Sequence, residues 1–323
     1  MTEGLADEDR PLLEVNDLAV FLPTGERSGV QAVSAVSLNI KRGERVGIVG
    51  ESGSGKSVTG RAIAGLLPTN PRVRVTGSIN FDGTELIGAR EREWQAMRNR
   101  HVGMIFQDPL TFLNPVMKVG KQVAEAVPSN GATKSGNSKS SRRARVLECL
   151  ALAGLTDVEQ VAEKFPHELS GGMRQRVLIA IAIAKSPDII IADEPTTALD
   201  ATVQAKVLET LEQTVAQLGT SLILISHDLA VVASMTERIY VMYAGRVVED
   251  GPTTEVLNNP QHPYTQMLLR SVRSLTDEGV GLYSIPPAFR AWLAEHADDE
   301  NPPPLSAFEA EHGILTEGAG QNA

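Results

Sequence analysis

A glycine-rich segment near the N-terminus carries the residue types that bind phosphate. The segment GESGSGKS at 50–57 follows the apolar run RVGIV at 45–49. Glycines let backbone N–H groups close around phosphate oxygens, and the N-terminus of the next helix adds its dipole. Lys56 would hold the β and γ phosphates, and the Ser57 hydroxyl would ligate Mg²⁺. The predicted nucleotide-binding residues are Gly50, Glu51, Ser52, Gly53, Ser54, Gly55, Lys56, Ser57 and Val58.

A second candidate site is a pair of adjacent carboxylates in the segment DIIIADE at 188–194. The apolar run predicts a buried strand that delivers Asp193 and Glu194 at its C-terminal end, where α/β sheets place ligands. Asp193 would reach the Mg²⁺ shell, and Glu194 would orient or deprotonate the attacking water of a phosphoryl transfer. Without the phosphate-binding segment, a solvated turn would explain the pair equally well.

The elements around these residues predict an α/β fold. Residues 12–49 alternate apolar and polar positions, which is typical of short strands, and 45–49, 188–192 and 221–225 are apolar enough to be strands buried on both faces of a mainly parallel sheet. Helical stretches alternate with the buried strands. The low-complexity stretch at 128–141 is predicted to be a solvated loop within a largely helical region at about 115–185.

The segment LSGGMRQR at 169–176 resembles the signature sequence of the ABC ATPases, and the chain resembles that family from about Leu12 to Val256. Ser170, Gly171 and Gly172 at the start of an apolar helix would offer a hydroxyl and backbone donors to an anion. A plain helix N-cap explains the same residues. The resemblance implies a P-loop NTPase (RecA-like) core with an N-terminal antiparallel β subdomain, a helical signature subdomain and a short C-terminal extension.

The same resemblance assigns roles to four further residues. Gln107 matches the glutamine that contacts the metal, and His227 matches the histidine that touches the γ-phosphate. Asp200 closes TALD at 197–200, which is similar to the family's D-loop, although it could equally be an N-cap. Phe21 is assigned to stacking on adenine, with a core phenylalanine as the alternative. In this family two such domains hold two ATP molecules head to tail, so Ser170 and Gly172 would act on the partner's nucleotide.

The C-terminal part indicates the subfamily. The segment PQHPYT at 260–265 resembles the oligopeptide and dipeptide importer ATPases, whose nickel-importing relatives share it. The resemblance implies ATP and Mg²⁺ as ligands and a second ATPase subunit, two membrane permeases and an extracytoplasmic binding protein as partners. The second ATPase subunit is expected to be a distinct chain, with a homodimer as the alternative. Many relatives carry a cysteine cluster for iron and sulfur, but no cysteine follows Cys149, so no such cluster is expected.

Composition sets limits on these expectations. The chain has 323 residues and a net charge of −10, with the acidic excess at its two ends, so no basic surface for nucleic acid is expected. Neither a membrane-spanning run nor a signal peptide is recognised, which predicts a location on the cytoplasmic face of the membrane. The predicted organisation is an acidic leader at 1–11, an ATPase domain at 12–256 and an extension with an acidic, partly disordered tail at 257–323.

Three other functions fit the sequence less well. Non-transport ABC proteins usually carry two ATPase modules or a long inserted coiled coil, and neither is seen here. The HPYT element at 262–265 disfavours a separated exporter domain. An inactive regulatory subunit is disfavoured because Lys56, Glu194 and His227 are all present.

Overall fold

The computed structural model describes residues 10–25, 28–69, 73–128, 139–197, 199–273, 285–296, 299 and 302–311. The strands are β1 Leu13–Pro23, β2 Gly29–Ile40, β3 Arg45–Val49, β4 Arg74–Phe81, β5 Thr84–Glu85, β6 Val102–Ile105, β7 Ile189–Asp193, β8 Ser221–Ser226, β9 Arg238–Tyr243 and β10 Arg246–Pro252. The helices are α1 Lys56–Ile63, α2 Glu91–Arg100, α3 Pro109–Phe112, α4 Val119–Ala126, α5 Lys139–Leu152, α6 Val158–Glu163, α7 Gly171–Ile183, α8 Ala201–Leu218, α9 Leu229–Met235, α10 Thr253–Asn258, α11 Pro263–Arg273, α12 Pro287–Glu295 and α13 Leu305–Glu311.

A six-stranded sheet forms the centre of the molecule, with the strand order β10-β9-β3-β8-β7-β6. The pairs β9-β3, β3-β8, β8-β7 and β7-β6 are parallel, and β10 pairs with β9 in the antiparallel direction. Every residue of β7 and β8 is buried, as expected for central strands covered on both faces. The register places Val49 beside Ser226, and Asp193 beside Ile225, so the C-terminal ends of β3, β7 and β8 meet at one edge.

A smaller antiparallel sheet has the order β2-β1-β4-β5. In β1 the residues Leu13, Val15, Leu18 and Val20 point into the core and polar neighbours point out, which is the alternation of a strand with one solvated face. The predicted N-terminal antiparallel β subdomain and the α/β core are both confirmed.

Helices α4 to α7 fill the region for which the sequence predicted helical structure. Cys149 lies in this region on α5 and is fully buried among apolar side chains. Most of the predicted loop at 128–141 lies outside the described residues, and α5 begins at Lys139. Burial raises the pKa of the Cys149 thiol to about 11, so this residue behaves as a small apolar side chain.

The C-terminal helices pack onto the central core. Tyr264 of α11 is completely buried, and the same apolar cluster contains Val241 of β9 and Val232 of α9. Helices α12 and α13 form where the sequence predicted partial disorder. The reason is an aromatic cluster in which Phe308 meets the ring of Phe289 edge-on and lies close to Trp292. These helices therefore bury apolar surface, which the acidic, Pro-rich composition does not indicate. Residues 1–9 of the predicted acidic leader at 1–11 and the end of the chain at 312–323 lie outside the described residues.

Over the described ranges, no helix combines the length and apolar character that a membrane span requires.

Candidate active site

The turn between β3 and α1 is shaped by glycines that no other residue could replace without strain. Gly50 has a φ of +148°, and a Cβ there would lie 2.1 Å from the carbonyl oxygen of Met242. Gly55 has a φ of +100°, and its Cβ would lie 2.5 Å from the carbonyl oxygen of Ala32. Both glycines therefore let the backbone turn tightly between β3 and α1. This is the open backbone that phosphate binding requires.

Lys56 is almost completely buried within this turn. Its Nζ donates to the carbonyl oxygens of Gly50 at 2.8 Å and Glu51 at 2.7 Å. Burial lowers the pKa of Lys56, and the neighbouring carboxylates oppose that shift. The ammonium group is thus held inside the loop, where phosphate oxygens would replace the carbonyls as its partners.

The other loop residues differ in exposure. Ser52 and Gly53 are exposed, whereas the buried Ser54 hydroxyl has no hydrogen-bond partner within the described part of the chain. An unsatisfied buried hydroxyl is rare in folded proteins, and an anion in the loop would satisfy it. The side chain of Val58 packs against apolar residues of the core, so Val58 can contribute only its backbone to a ligand.

Two oxygen ligands for a divalent cation lie together at the end of the loop. The Ser57 hydroxyl donates to Asp193 Oδ1 at 2.6 Å, and Asp193 is 2% exposed. Arg61 approaches the other carboxylate oxygen at 3.5 Å. Mg²⁺ takes a few protein oxygens, such as a hydroxyl and a carboxylate, together with water and phosphate oxygens, so the residues present fit this ion.

Glu194 lies beside this pair in a strained backbone conformation. Its φ is +48°, which is uncommon for a residue with a side chain and is typical of functional sites. Its N–H donates to the carbonyl of Ile225 at 2.9 Å, which fixes the turn against β8. The carboxylates of Asp193 and Glu194 therefore point apart. Asp193 faces Ser57, and Glu194 faces side chains from other loops.

Three side chains hold the Glu194 carboxylate. Gln107 Nε2 donates to Oε2 at 3.2 Å, and the Thr197 hydroxyl donates to the same oxygen at 2.9 Å. His227 Nδ1 lies 3.4 Å from Oε1. Gln107 follows β6 and His227 follows β8, so neighbouring parallel strands bring these residues to one point.

The signature residues and Asp200 lie at helix starts. The Ser170 hydroxyl accepts the N–H of Met173 at 3.3 Å as the N-cap of α7, and Ser170 and Gly171 are exposed. Gly172 is buried, and a Cβ there would lie 2.5 Å from Val203 Cγ1. Asp200 caps α8 by accepting the N–H of Val203 at 3.0 Å. Helix capping accounts for the Ser170 hydroxyl and for the Asp200 carboxylate. Contact of either residue with a nucleotide stays a prediction.

Phe21 lies on β1, in the smaller sheet. Its ring covers Gly29, and the guanidinium carbon of Arg74 lies 5.4 Å from its centroid. The side chain is half-buried and lies beside a cation, whereas a phenylalanine of the core would be fully buried among apolar side chains. Adenine stacking by Phe21 stays a prediction.

Sequence reasoning gave no role at this site to Arg61 and missed the contact between Thr197 and Glu194. Arg61 is four residues after Ser57, so the two side chains share one face of α1. This spacing indicates that Arg61 lies near the site. Thr197 was recognised only as part of a loop motif. Its contact depends on the turn at Glu194, for which the sequence holds no signal.

Comparisons with known proteins agree with this geometry. The family model described as "ABC transporter" matches residues 33–197, and the model for the C-terminal region of oligopeptide/dipeptide transporters matches residues 248–293. The oligopeptide transport ATP-binding protein OppD of Bacillus subtilis is 44% identical over 94% of this chain and 87% of its own length. The dipeptide transport ATP-binding protein DppD of Lactococcus lactis is 42% identical over 94% of this chain and 83% of its own length.

Solved structures show the same architecture. A dimeric ATP-binding cassette in a post-hydrolysis state with ADP and Pi is 32% identical and has a TM-score of 0.64, covering 75% of this chain and 98% of its own. The protein cbiO1 of Clostridium perfringens, part of an ABC transporter complex, is 30% identical with a TM-score of 0.63 and covers 77% of this chain and 91% of its own. Its motifs, its fold and these relatives together show that the chain belongs to the ABC transporter family, as one of its ATP-hydrolysing subunits.

Proposed function

We propose that this chain powers the import of di- and oligopeptides by hydrolysing ATP on the cytoplasmic face of a membrane transporter. The observation that carries the proposal is the meeting of the phosphate-binding turn, Asp193 and Glu194 at one sheet edge, in a chain whose C-terminal part matches the oligopeptide/dipeptide transporters. The relatives named for peptide transport support the same cargo.

Each residue of the site has a role in this proposal. Backbone N–H groups of the loop and Lys56 bind the phosphates, and Ser57, Asp193 and Gln107 would hold Mg²⁺, which neutralises phosphate charge when bound. Glu194 accepts a proton from the attacking water or orients it, and His227 contacts the terminal phosphate. Gln107 and Thr197 keep the Glu194 carboxylate oriented for this task.

The assembly in this proposal contains a second ATPase subunit, two integral-membrane permeases and an extracytoplasmic binding protein. The second subunit is a distinct chain in the favoured arrangement, and Ser170 and Gly172 then contact the nucleotide held by that subunit. ATP performs work because it binds the closed dimer more tightly than the open one. The chain attaches to the membrane through its permeases, and nucleic acid has no part in the activity.

The test is the uptake of labelled dipeptides, oligopeptides and nickel by source cells in which Glu194→Gln replaces the native copy. Peptide uptake is expected to fall to background while nickel uptake persists, because the variant binds ATP but lacks the carboxylate that acts on water. Glu255→Gln removes an exposed carboxylate on α10 and is the matched control, with normal uptake. Loss of nickel uptake alone would instead identify a metal importer. Unchanged uptake of both solutes would contradict the transport role.

A further inference from the structure

The C-terminal extension touches the nucleotide site through a tyrosine hydroxyl. Tyr264, at the start of α11, is 0% exposed, and its hydroxyl accepts the backbone N–H of Glu51 at 2.9 Å. Glu51 is the second residue of the phosphate-binding turn and lies 213 positions earlier in the chain. A buried N–H must find an acceptor, and here a distant segment of the chain provides it.

The hydroxyl is held in place by a network that involves the other residues of the same segment. Glu249 on β10 accepts the N–H groups of Gln261 at 2.7 Å and His262 at 3.0 Å. His262 Nδ1 in turn accepts the N–H of Tyr264 at 3.1 Å, and burial lowers the pKa of this histidine, which favours the neutral ring that such a bond needs. The ring of Tyr243 packs 4.5 Å from that of Tyr264. The network thus ties the segment before α11 to β10 and orients Tyr264.

A second residue of the extension reaches the same loop position. Arg290 on α12 donates to the Glu51 carboxylate with a separation of 2.9 Å. The Glu51 carbonyl also accepts from Lys56 Nζ at 2.7 Å. The N–H, the carbonyl and the carboxylate of Glu51 are therefore all bonded, and the partners of its N–H and its carboxylate come from the extension.

We propose that Tyr264 and Arg290 are positioning residues for nucleotide binding, which hold Glu51 so that the phosphate-binding turn is already formed before ATP arrives. This inference rests on the proposed ATPase function. The hydroxyl of Tyr264 fixes the backbone at the entry of the turn, and the turn then presents its following N–H groups in one arrangement. A preorganised site binds more tightly because less ordering remains to be done on binding.

Arg290 also has an electrostatic effect. The Glu51 carboxylate lies in a loop that receives a polyanion, and an unneutralised carboxylate there would repel phosphate oxygens. The ion pair is half-exposed, so it contributes little to folding stability. Its contribution is therefore expected in nucleotide affinity, and it is expected to weaken as salt rises.

The experiment measures Mg²⁺–ATP binding by the isolated full chain with isothermal titration calorimetry, and ATP turnover by the assembled transporter. Tyr264→Phe keeps the ring and removes only the hydroxyl. We expect its Kd for ATP to rise about 3- to 10-fold, the size of one lost hydrogen bond, with kcat within about twofold of wild type. Arg290→Gln is expected to raise Kd by a similar factor at low salt and less at high salt.

Two matched controls separate positioning from general packing. Tyr243→Phe removes a hydroxyl from the neighbouring ring, and Arg270→Gln removes an ion pair with Glu309 inside the extension. Both controls are expected to bind ATP as wild type does. The thermal midpoint of each variant is measured alongside, because a purely structural role for Tyr264 would lower the midpoint and leave Kd unchanged. That result would overturn the inference.

A double variant tests the charge argument. Glu51→Gln combined with Arg290→Gln removes both charges, so it is expected to bind ATP more tightly than Arg290→Gln alone. Equal binding by the double and single variants would overturn the electrostatic part. Failure of wild type itself to bind or hydrolyse ATP would contradict the proposed function instead. Normal wild-type binding with unchanged Kd in both Tyr264→Phe and Arg290→Gln would contradict this inference alone.

Discussion

At the scale of single residues, Glu194 depends on neighbours that hold its carboxylate. The bond from the Thr197 hydroxyl, at 2.9 Å, is the shorter of the two hydrogen bonds to Oε2. If a carboxylate must hold a water molecule in line with the phosphate, the rate of hydrolysis falls when the orientation of that carboxylate becomes less fixed. We therefore expect Thr197 to act as a positioning residue whose effect is confined to the chemical step.

Thr197→Val keeps the shape of the side chain and removes the hydroxyl. We expect kcat for ATP hydrolysis to fall about 5- to 10-fold, corresponding to one orienting hydrogen bond, with KM for ATP unchanged because the phosphates contact other residues. Thr197→Ser keeps the hydroxyl and should restore most of the rate. Steady-state kinetics of the three proteins provide the measurement, and an unchanged kcat in Thr197→Val would refute the role.

Cys149 gives a residue-scale prediction about pH. Burial raises the pKa of its thiol from 9.0 to about 11, so the folded chain holds this proton where the unfolded chain releases it. The stability that follows is fully present below pH 9 and is lost as pH rises toward 11. We therefore expect the stability advantage of wild type over Cys149→Ala to narrow over that interval.

Urea unfolding of wild type and Cys149→Ala at several pH values measures this difference, because groups common to both proteins cancel. Wild type should also resist thiol reagents at pH 8 and react once urea unfolds it. A constant difference between the two proteins across the interval would show that the thiol titrates normally in the folded state.

At the scale of elements, α1 packs closely against the central sheet at Gly60. A Cβ at Gly60 would lie 2.6 Å from Ile225 Cδ1 and 3.3 Å from Ile191 Cγ2. The close approach fixes the height of α1 above the sheet, and α1 begins at Lys56, so the position of the phosphate-binding turn depends on it. Helix packing and the active site are therefore coupled.

Gly60→Ala gains helix propensity, but its methyl group meets Ile225 Cδ1, so we expect a net loss of about 1 kcal/mol in the free energy of unfolding. Ile225→Val removes the Cδ1 atom that the new methyl group would meet. The double variant should therefore lose less stability than the sum of the two single variants, as urea unfolding would measure. If the losses of the two single variants simply add up in the double variant, α1 moves away from the sheet without meeting Ile225, and the packing argument is wrong.

Local pattern was sufficient to predict much of the fold and which residues gather at the candidate site. The strands β3, β7 and β8 are continuous apolar runs, and the glycine pattern and paired carboxylates follow such runs directly. The family predicted from LSGGMRQR and HPYT is confirmed by the matching models. Contacts between distant segments could not be predicted, because the bond from Glu51 to Tyr264 depends on how α11 packs against the sheet. The aromatic cluster of α12 and α13 was hidden for the same reason.

At the scale of the whole molecule, one chain carries two separate surfaces that we predict to contact nucleotide. The phosphate-binding turn lies at the edge of the six-stranded sheet, while Ser170 is exposed at the start of α7 in the helical region. In a head-to-tail pair each chain would supply one surface to each ATP. Binding of ATP to the isolated chain should then depend on the turn alone, and hydrolysis should depend on both surfaces.

Ser170→Arg places a bulky cation on the exposed surface. We expect the isolated variant to bind ATP with wild-type affinity, whereas hydrolysis by the assembled transporter is lost. Ser170→Thr is the control, since it keeps both the hydroxyl and the N-cap of α7, whose loss alone would cost about 1 kcal/mol. The measurements are calorimetric titration of the monomer and phosphate release by the assembly. Weaker ATP binding by the isolated Ser170→Arg chain would mean that Ser170 acts within its own subunit, and the head-to-tail arrangement would then be wrong.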